Sequence, residues 1–290
     1  MRFLMVTIWP HPHAGGVASH ITALKQGISA LGDTVQVISG TEAGALRGIR
    51  GRDAGGYVTH LRQSFADMVA AIDGLACDPD VCIAHDVVAM LALAASRLSA
   101  SPAILTVHGY LADEAVSSGA IRGGSEDYEF LKKLEKEAYK AADLLIAADG
   151  RLADYVHRMA GRRARTLVNF INPERFRPKE RSEVTRRRYG VEGARVLLCP
   201  RRLTAKNGVS YAVAAVRELP QDVLLLVAGD GEERGAIERL IEQHDLGSRV
   251  QLLGPVSHRE IPDLINLAEA VVIPSVHVAG VEEATSIAAL

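Results

Sequence analysis

The segment Arg201-Arg202-Leu203-Thr204-Ala205-Lys206-Asn207-Gly208 brings two guanidinium groups and an ammonium together, directly after an apolar run that ends at Pro200. Arginine can grip phosphate oxygens with a two-pronged fork and lysine adds a point charge, so the loop suits a diphosphate; a solvated basic turn has the same composition. His108-Gly109 ends another apolar run. An imidazole there can position or deprotonate a hydroxyl, or serve as a hydrogen-bonded structural group. Gly15-Gly16 opens onto an amphipathic stretch, with His20 one helical turn further on. Two glycines before a helix let backbone N–H groups approach an anion, or simply make the turn. Gly229-Asp230-Gly231 is a second glycine turn between an apolar run and a helical one. In Glu282-Glu283-Ala284-Thr285-Ser286, carboxylates at a helix start can cap the helix or hydrogen-bond a polyol, and the small residues admit a ligand closely. His85-Asp86 reads as structural. Asp78-Pro79-Asp80 stands before a strand rather than after one, so proline marks a turn and no metal site is assigned.

These residues must be held by the elements around them, and short β-rich runs alternate with helical ones along the whole chain. The predicted strands are Arg2–Ile8, Thr34–Ser39, Tyr57–Leu61, Asp80–Ala84, Ala103–Val107, Asp143–Ala147 and Arg165–Val168, with helices over Val17–Leu31, Val87–Leu98, Tyr128–Ala141 and Arg151–Met159. Ile21, Leu24, Ile28 and Leu31 form one apolar stripe. A long glycine-rich loop is expected from His108 to Gly124. Pro173 and Pro178 interrupt the pattern; strands at Val196–Cys199, Val223–Ala228, Val250–Leu253 and Ala270–Ile273 then alternate with helices at Asn207–Leu219, Glu232–His244 and Arg259–Ala268. Buried strands alternating with helices predict an α/β fold of two Rossmann-like, doubly wound parallel-sheet domains. The expected division is a first domain over 1–168, a linker over 169–178 and a second domain over 179–290. Four strands are few for the second sheet, which is expected to be incomplete.

The chain has 290 residues, with 33 basic against 35 acidic side chains and 48% hydrophobic residues. That balance carries no electrostatic footprint for nucleic acid, and the apolar content excludes general disorder. Cys77, Cys82 and Cys199 lack zinc-type spacing and cannot build a disulfide framework, so a reduced, cytoplasmic protein is expected. The longest apolar run, Val87 to Ala95, is far short of the roughly 18 residues of a membrane span. The apolar start ends in Pro10-His11-Pro12-His13 without a small-residue cleavage site and reads as a first buried strand rather than a signal peptide.

In their order, these pieces resemble the retaining glycosyltransferases of family 4, which have the GT-B fold of two facing Rossmann domains. Gly15-Gly16-Val17-x-x-His20 is similar to that family's Gly-Gly-hydrophobic loop, and Thr106-Val107-His108-Gly109 to its acceptor-side histidine motif. Val168-Asn169-Phe170-Ile171-Asn172-Pro173, running on to Phe176-Arg177-Pro178, resembles its interdomain segment, with Phe170 and Asn172 in place of glycine and aspartate. The resemblance implies transfer of a sugar from a nucleotide-diphosphate sugar to a hydroxyl, with retention at the anomeric carbon. It implies no required metal and no cofactor beyond that substrate. Arg202 and Lys206 would hold the donor diphosphate, with Gly229, Gly231, Ala284, Thr285 and Ser286 also on the donor side. Lys206 sits one residue earlier than the family's usual lysine. Glu283 matches the first glutamate of a Glu-x7-Glu motif and would contact the donor sugar. His108 would orient the acceptor beside the loop of Gly15, Gly16 and His20, and closure of the two domains would exclude water.

Seven residues follow Glu283, so the motif's second glutamate would fall just beyond Leu290. The expectation is a chain truncated within its donor domain. The alternative is a non-catalytic relative that binds an acceptor or a partner chain. The resemblance implies glycan or lipid-linked acceptors of the cell envelope, with peripheral contact at the inner face of the membrane. Base, sugar, acceptor and oligomeric state stay open. A nicotinamide-dependent dehydrogenase is excluded, because the first strand lacks the Gly-x-Gly-x-x-Gly turn.

Overall fold

The computed structural model describes residues 1–12, 15–40, 54–180 and 182–277. The chain divides between Phe170 and Ile171 into two compact units. In the first, β1 (Arg2–Thr7), β2 (Thr34–Ser39), β3 (Val81–Ala84), β4 (Ala103–Val107), β5 (Leu144–Ala147) and β6 (Arg165–Thr166) form one sheet in the order β2-β1-β3-β4-β5-β6. All its pairings are parallel. The crossovers carry α1 (Gly16–Ala30), α2 (Ala54–Asp73), α3 (Val87–Ala95), α4 (Leu111–Ser117), α5 (Glu126–Ala141) and α6 (Gly150–Ala160). The chain winds outward from β1 to β2 and then returns to β3 on β1's other side. The strand order therefore reverses at β1, and a sheet of this type binds ligands outside the carboxyl ends at such a reversal.

Local chemistry starts and stops these helices. Asp86 caps α3 by accepting from the Ala89 N–H at 2.8 Å, and Asp149 caps α6 through the Leu152 N–H at 2.9 Å. Gly161 ends α6 in the left-handed conformation that costs glycine least. Ile21 of α1 packs with Met5 and Ile83 of the sheet, joined by Val17, Leu24 and Ile28. Leu31 falls outside that stripe, 82% exposed, because the helix ends at Ala30.

The second unit pairs β7 (Arg195–Cys199), β8 (Val223–Ala228), β9 (Val250–Gly254) and β10 (Ala270–Val271) in parallel, in the order β10-β7-β8-β9. Its helices are α7 (Glu183–Tyr189), α8 (Val209–Ala215), α9 (Arg234–Gln243) and α10 (Ile261–Leu267). Alternate strand residues feed two cores. Cys199, Leu225 and Val227 face α8 and α9, whereas Val196, Leu198 and Leu226 face α10. Both faces are thus covered, as near-continuous apolar strands require. The order reverses at β7, which stands between β10 and β8.

The structure corrects several expected elements. Tyr57–Leu61 is not a strand but part of α2. Its β-prone residues yield to a longer period, since Leu61, Ser64, Met68 and Ile72 are all buried at three- and four-residue intervals. The expected loop after His108 contains α4. The helix expected over Asn207–Leu219 divides into a 3₁₀ turn at Ala205–Asn207, then α8, then a second 3₁₀ turn at Val216–Glu218.

Candidate functional site

In the first unit the sheet brings three strand ends together. The His85 N–H donates to Val6 O at 2.9 Å, which seats the residue after β3 against the end of β1. Asp86 then ties the neighbouring end down, accepting from the Thr7 hydroxyl at 2.9 Å and the Ile8 N–H at 2.8 Å. Parallel pairing of β3 with β4 places His108 alongside. The His85 and His108 rings stack with centroids 5.5 Å apart, and His85 Nδ1 shares a hydrogen bond with His108 Nε2 at 3.3 Å. His20, on α1, meets both edge-on at 5.7 and 4.8 Å. The Phe170 ring covers His20 at 5.3 Å.

Burial dominates the electrostatics of this cluster. It pushes His20 below the ordinary imidazole value, against a hydrogen bond with Asn169 that raises it. His85 is held well below by burial and then by the neighbouring imidazoles, and His108 falls to about 3 by burial and by His20. The three rings are therefore neutral near pH 7. A base that weak does not retain a proton from a hydroxyl, so His108 is suited to positioning by hydrogen bonding rather than to deprotonation. Among the described residues His20 Nδ1 and His85 Nε2 are buried without a hydrogen-bond partner.

The segment after His108 is braced from behind. Glu135, fully buried on α5, accepts from the Leu111 N–H at 2.8 Å and the Tyr155 hydroxyl at 2.7 Å, which fixes the start of α4. Burial pushes its carboxyl up to about 7, against the Tyr155 hydroxyl, Lys132 and the Leu111 N–H. Glu114 of α4 lies against Gly109, where a Cβ would stand 2.6 Å from Glu114 Oε1.

The second unit's reversal point holds the basic loop. The structure separates its two arginines. Arg201 is buried and braces the loop, donating to Asn207 Oδ1 at 2.6 Å and to Ser275 Oγ at 3.0 Å. Arg202 points outward with its side chain 71% exposed, loosely paired with Glu232 at 3.8 Å. Lys206 is half-buried on the 3₁₀ turn, and the Thr204 hydroxyl oxygen close by is buried without a hydrogen-bond partner among the described residues. Gly229 and Gly231 face the loop's main chain, where a Cβ would come within 2.0 Å of Arg201 O and 2.3 Å of Leu203 O respectively. Glycine is required there because two backbones touch.

The structure thus gathers His20 and His108 with His85, which the sequence reading leaves as structural. It also adds Asn169, Phe170 and Glu114, which that reading does not place at a site. The signal for His85 is its position, at a strand's carboxyl end like His108. Gly15 and Gly16 lead into α1 as expected, and Arg202, Lys206, Gly229 and Gly231 share the second unit's reversal point. Glu283, Ala284, Thr285 and Ser286 lie outside the described residues. Asp78 and Asp80 pair with Arg97 and Arg2.

Residues 14–175 match the family described as Glycosyltransferase Family 4, and residues 182–290 match glycosyl transferases group 1. The alpha-D-kanosaminyltransferase of Streptomyces kanamyceticus is 32% identical over 152 residues, covering 50% of this chain. The chain spans only 39% of that relative's length. Among solved structures, sucrose-phosphate synthase from Thermosynechococcus elongatus is similar with a TM-score of 0.74 at 18% identity, covering 97% of this chain and 76% of that one. The Anabaena protein HepE, solved with UDP and glucose, gives a TM-score of 0.65 at 18% identity, covering 93% of this chain and 73% of that one.

Proposed function

The chain belongs to Glycosyltransferase Family 4, and from that premise we propose that it moves a sugar from a nucleotide-diphosphate sugar to a hydroxyl acceptor, with retention and without a required metal. The observation that carries the donor side is the basic loop at the second unit's reversal point, with Arg202 outward, Lys206 beside it and a buried Thr204 hydroxyl that has no partner among the described residues. Negative charge builds on the diphosphate as it departs, and fixed cations stabilise that charge without reorganising. On the acceptor side, neutral His108 accepts from or donates to a hydroxyl and orients it, while Asn169 and Phe170 hold His20 in place. Glu283 to Ser286 complete the donor side in this reading.

The acceptor is a glycan or lipid-linked sugar of the cell envelope, met by a cytoplasmic protein in peripheral contact with the inner face of the membrane. Among the described residues no helix is long and apolar enough to cross a membrane. UDP is the first donor base to test, because HepE was solved with it. The test is a melting curve with millimolar UDP, ADP or GDP, followed by product analysis with the matching glucose donors. One nucleotide is expected to raise the melting temperature by binding the native state, and Arg202→Ala to abolish the rise. If every nucleotide leaves both proteins unchanged, the donor assignment fails.

A further inference from the structure

We propose that His20, His85 and His108 form a binding site for a late first-row divalent cation, with zinc as the reference ion. Each ring offers one nitrogen, and the three nitrogens lie within 4.8 Å of one another. Zinc holds imidazole nitrogens at about 2.0–2.1 Å, so two nitrogens on one tetrahedral ion stand roughly 3.3 Å apart. His85 Nδ1 and His108 Nε2 are already at 3.3 Å. The widest gap, 4.8 Å, closes by about 1.5 Å when the rings turn inward onto one ion.

One further observation points to a ligand. Among the described residues His20 Nδ1 is buried without a hydrogen-bond partner, a cost that a metal bond would remove. An all-imidazole set selects zinc, copper or nickel over magnesium or calcium. Three protein ligands leave a fourth position for water.

The cation has no part in the sugar transfer proposed above. It would occupy the imidazole that orients the acceptor, and that one consequence rests on the proposed function. Bound zinc should therefore raise the KM for acceptor and leave the KM for donor unchanged.

Binding is tested without reference to activity. The tag-free chain, stripped with a chelator, is titrated with zinc chloride in a calorimeter and separately with cobalt(II) in an absorption cell. One zinc per chain is expected, with the intense visible bands of four-coordinate cobalt. His85→Asn and His108→Asn should each weaken zinc at least about tenfold, the least that loss of even an outer partner costs. His157→Asn, exposed on α6, should leave affinity unchanged. Absence of stoichiometric zinc, or the weak spectrum of six-coordinate cobalt, overturns the site on the unaltered chain, whether or not a variant folds. Equal affinity in folded His85→Asn and His108→Asn also overturns it. Stoichiometric zinc that leaves the acceptor KM unchanged keeps the metal site and removes His108 from the acceptor side.

Discussion

The two reversal points use opposite electrostatics on the same topology. In the first unit, burial strips the charge from three histidines and leaves hydrogen-bonding nitrogens. In the second, Arg202 keeps a permanent charge in solvent while the buried Arg201 holds its loop. A parallel sheet supplies only the place, the carboxyl ends where its order turns back. What can bind there depends on whether the side chains at that place are desolvated. Neutral nitrogens suit hydroxyls and soft cations, and exposed guanidinium suits phosphate.

That contrast can be broken at either end. The largest effect is expected from Arg202→Ala, which should lower kcat/KM by about 10²–10³, the scale for losing one donor to developing negative charge. Its melting temperature should hardly move, because exposed side chains away from packing cost within about 0.5 kcal/mol. A matching loss of stability would place Arg202 among the braces instead. Next is Gly231→Ala, whose new methyl would sit 2.3 Å from Leu203 O. Denaturant titration should show a loss of up to about 3 kcal/mol, typical of overpacking, and weaker nucleotide binding as the loop shifts.

The smallest effect per pH unit sharpens the first unit's side of the contrast. His108 has a folded-state value of about 3 against an ordinary 6.5. The unfolded chain then takes up more protons between those values, so His108's contribution to stability is complete above pH 6.5 and is lost as pH falls toward 3. His108→Asn should flatten that decline by up to about 1.4 kcal/mol per pH unit, one proton's worth. Glu135 works in the other direction. Its raised value of about 7 against 4.5 favours the folded state in acid, and that contribution is lost as pH rises through 7. Chemical denaturation of Glu135→Gln between pH 5 and 8 should therefore show its deficit shrinking as pH rises. An unchanged deficit would mean that Glu135 does not titrate in this window.

Much of the fold is legible in the sequence because alternation and the stripe of Ile21, Leu24 and Ile28 are local patterns. Arg202 and Lys206 are visible for the same reason, since they follow one strand directly. The histidine cluster is not local. His20, His85 and His108 meet only because the sheet places β3 between β1 and β4, an order that no short window records. Phe170 departs from the family pattern in sequence, and its use appears only where its ring covers His20. Tyr57–Leu61 misleads because three adjacent β-prone residues, Tyr57, Val58 and Thr59, obscure a buried stripe that continues to Ile72.

The contact of Gly229 and Gly231 with the backbone of residues 201–203 has an evolutionary consequence. The loop's position is fixed through main-chain atoms, which every amino acid shares. Side chains at outward positions such as Arg202 can then be exchanged by mutation without displacing the scaffold. What the loop can bind is free to drift among descendants, while the two glycines must stay.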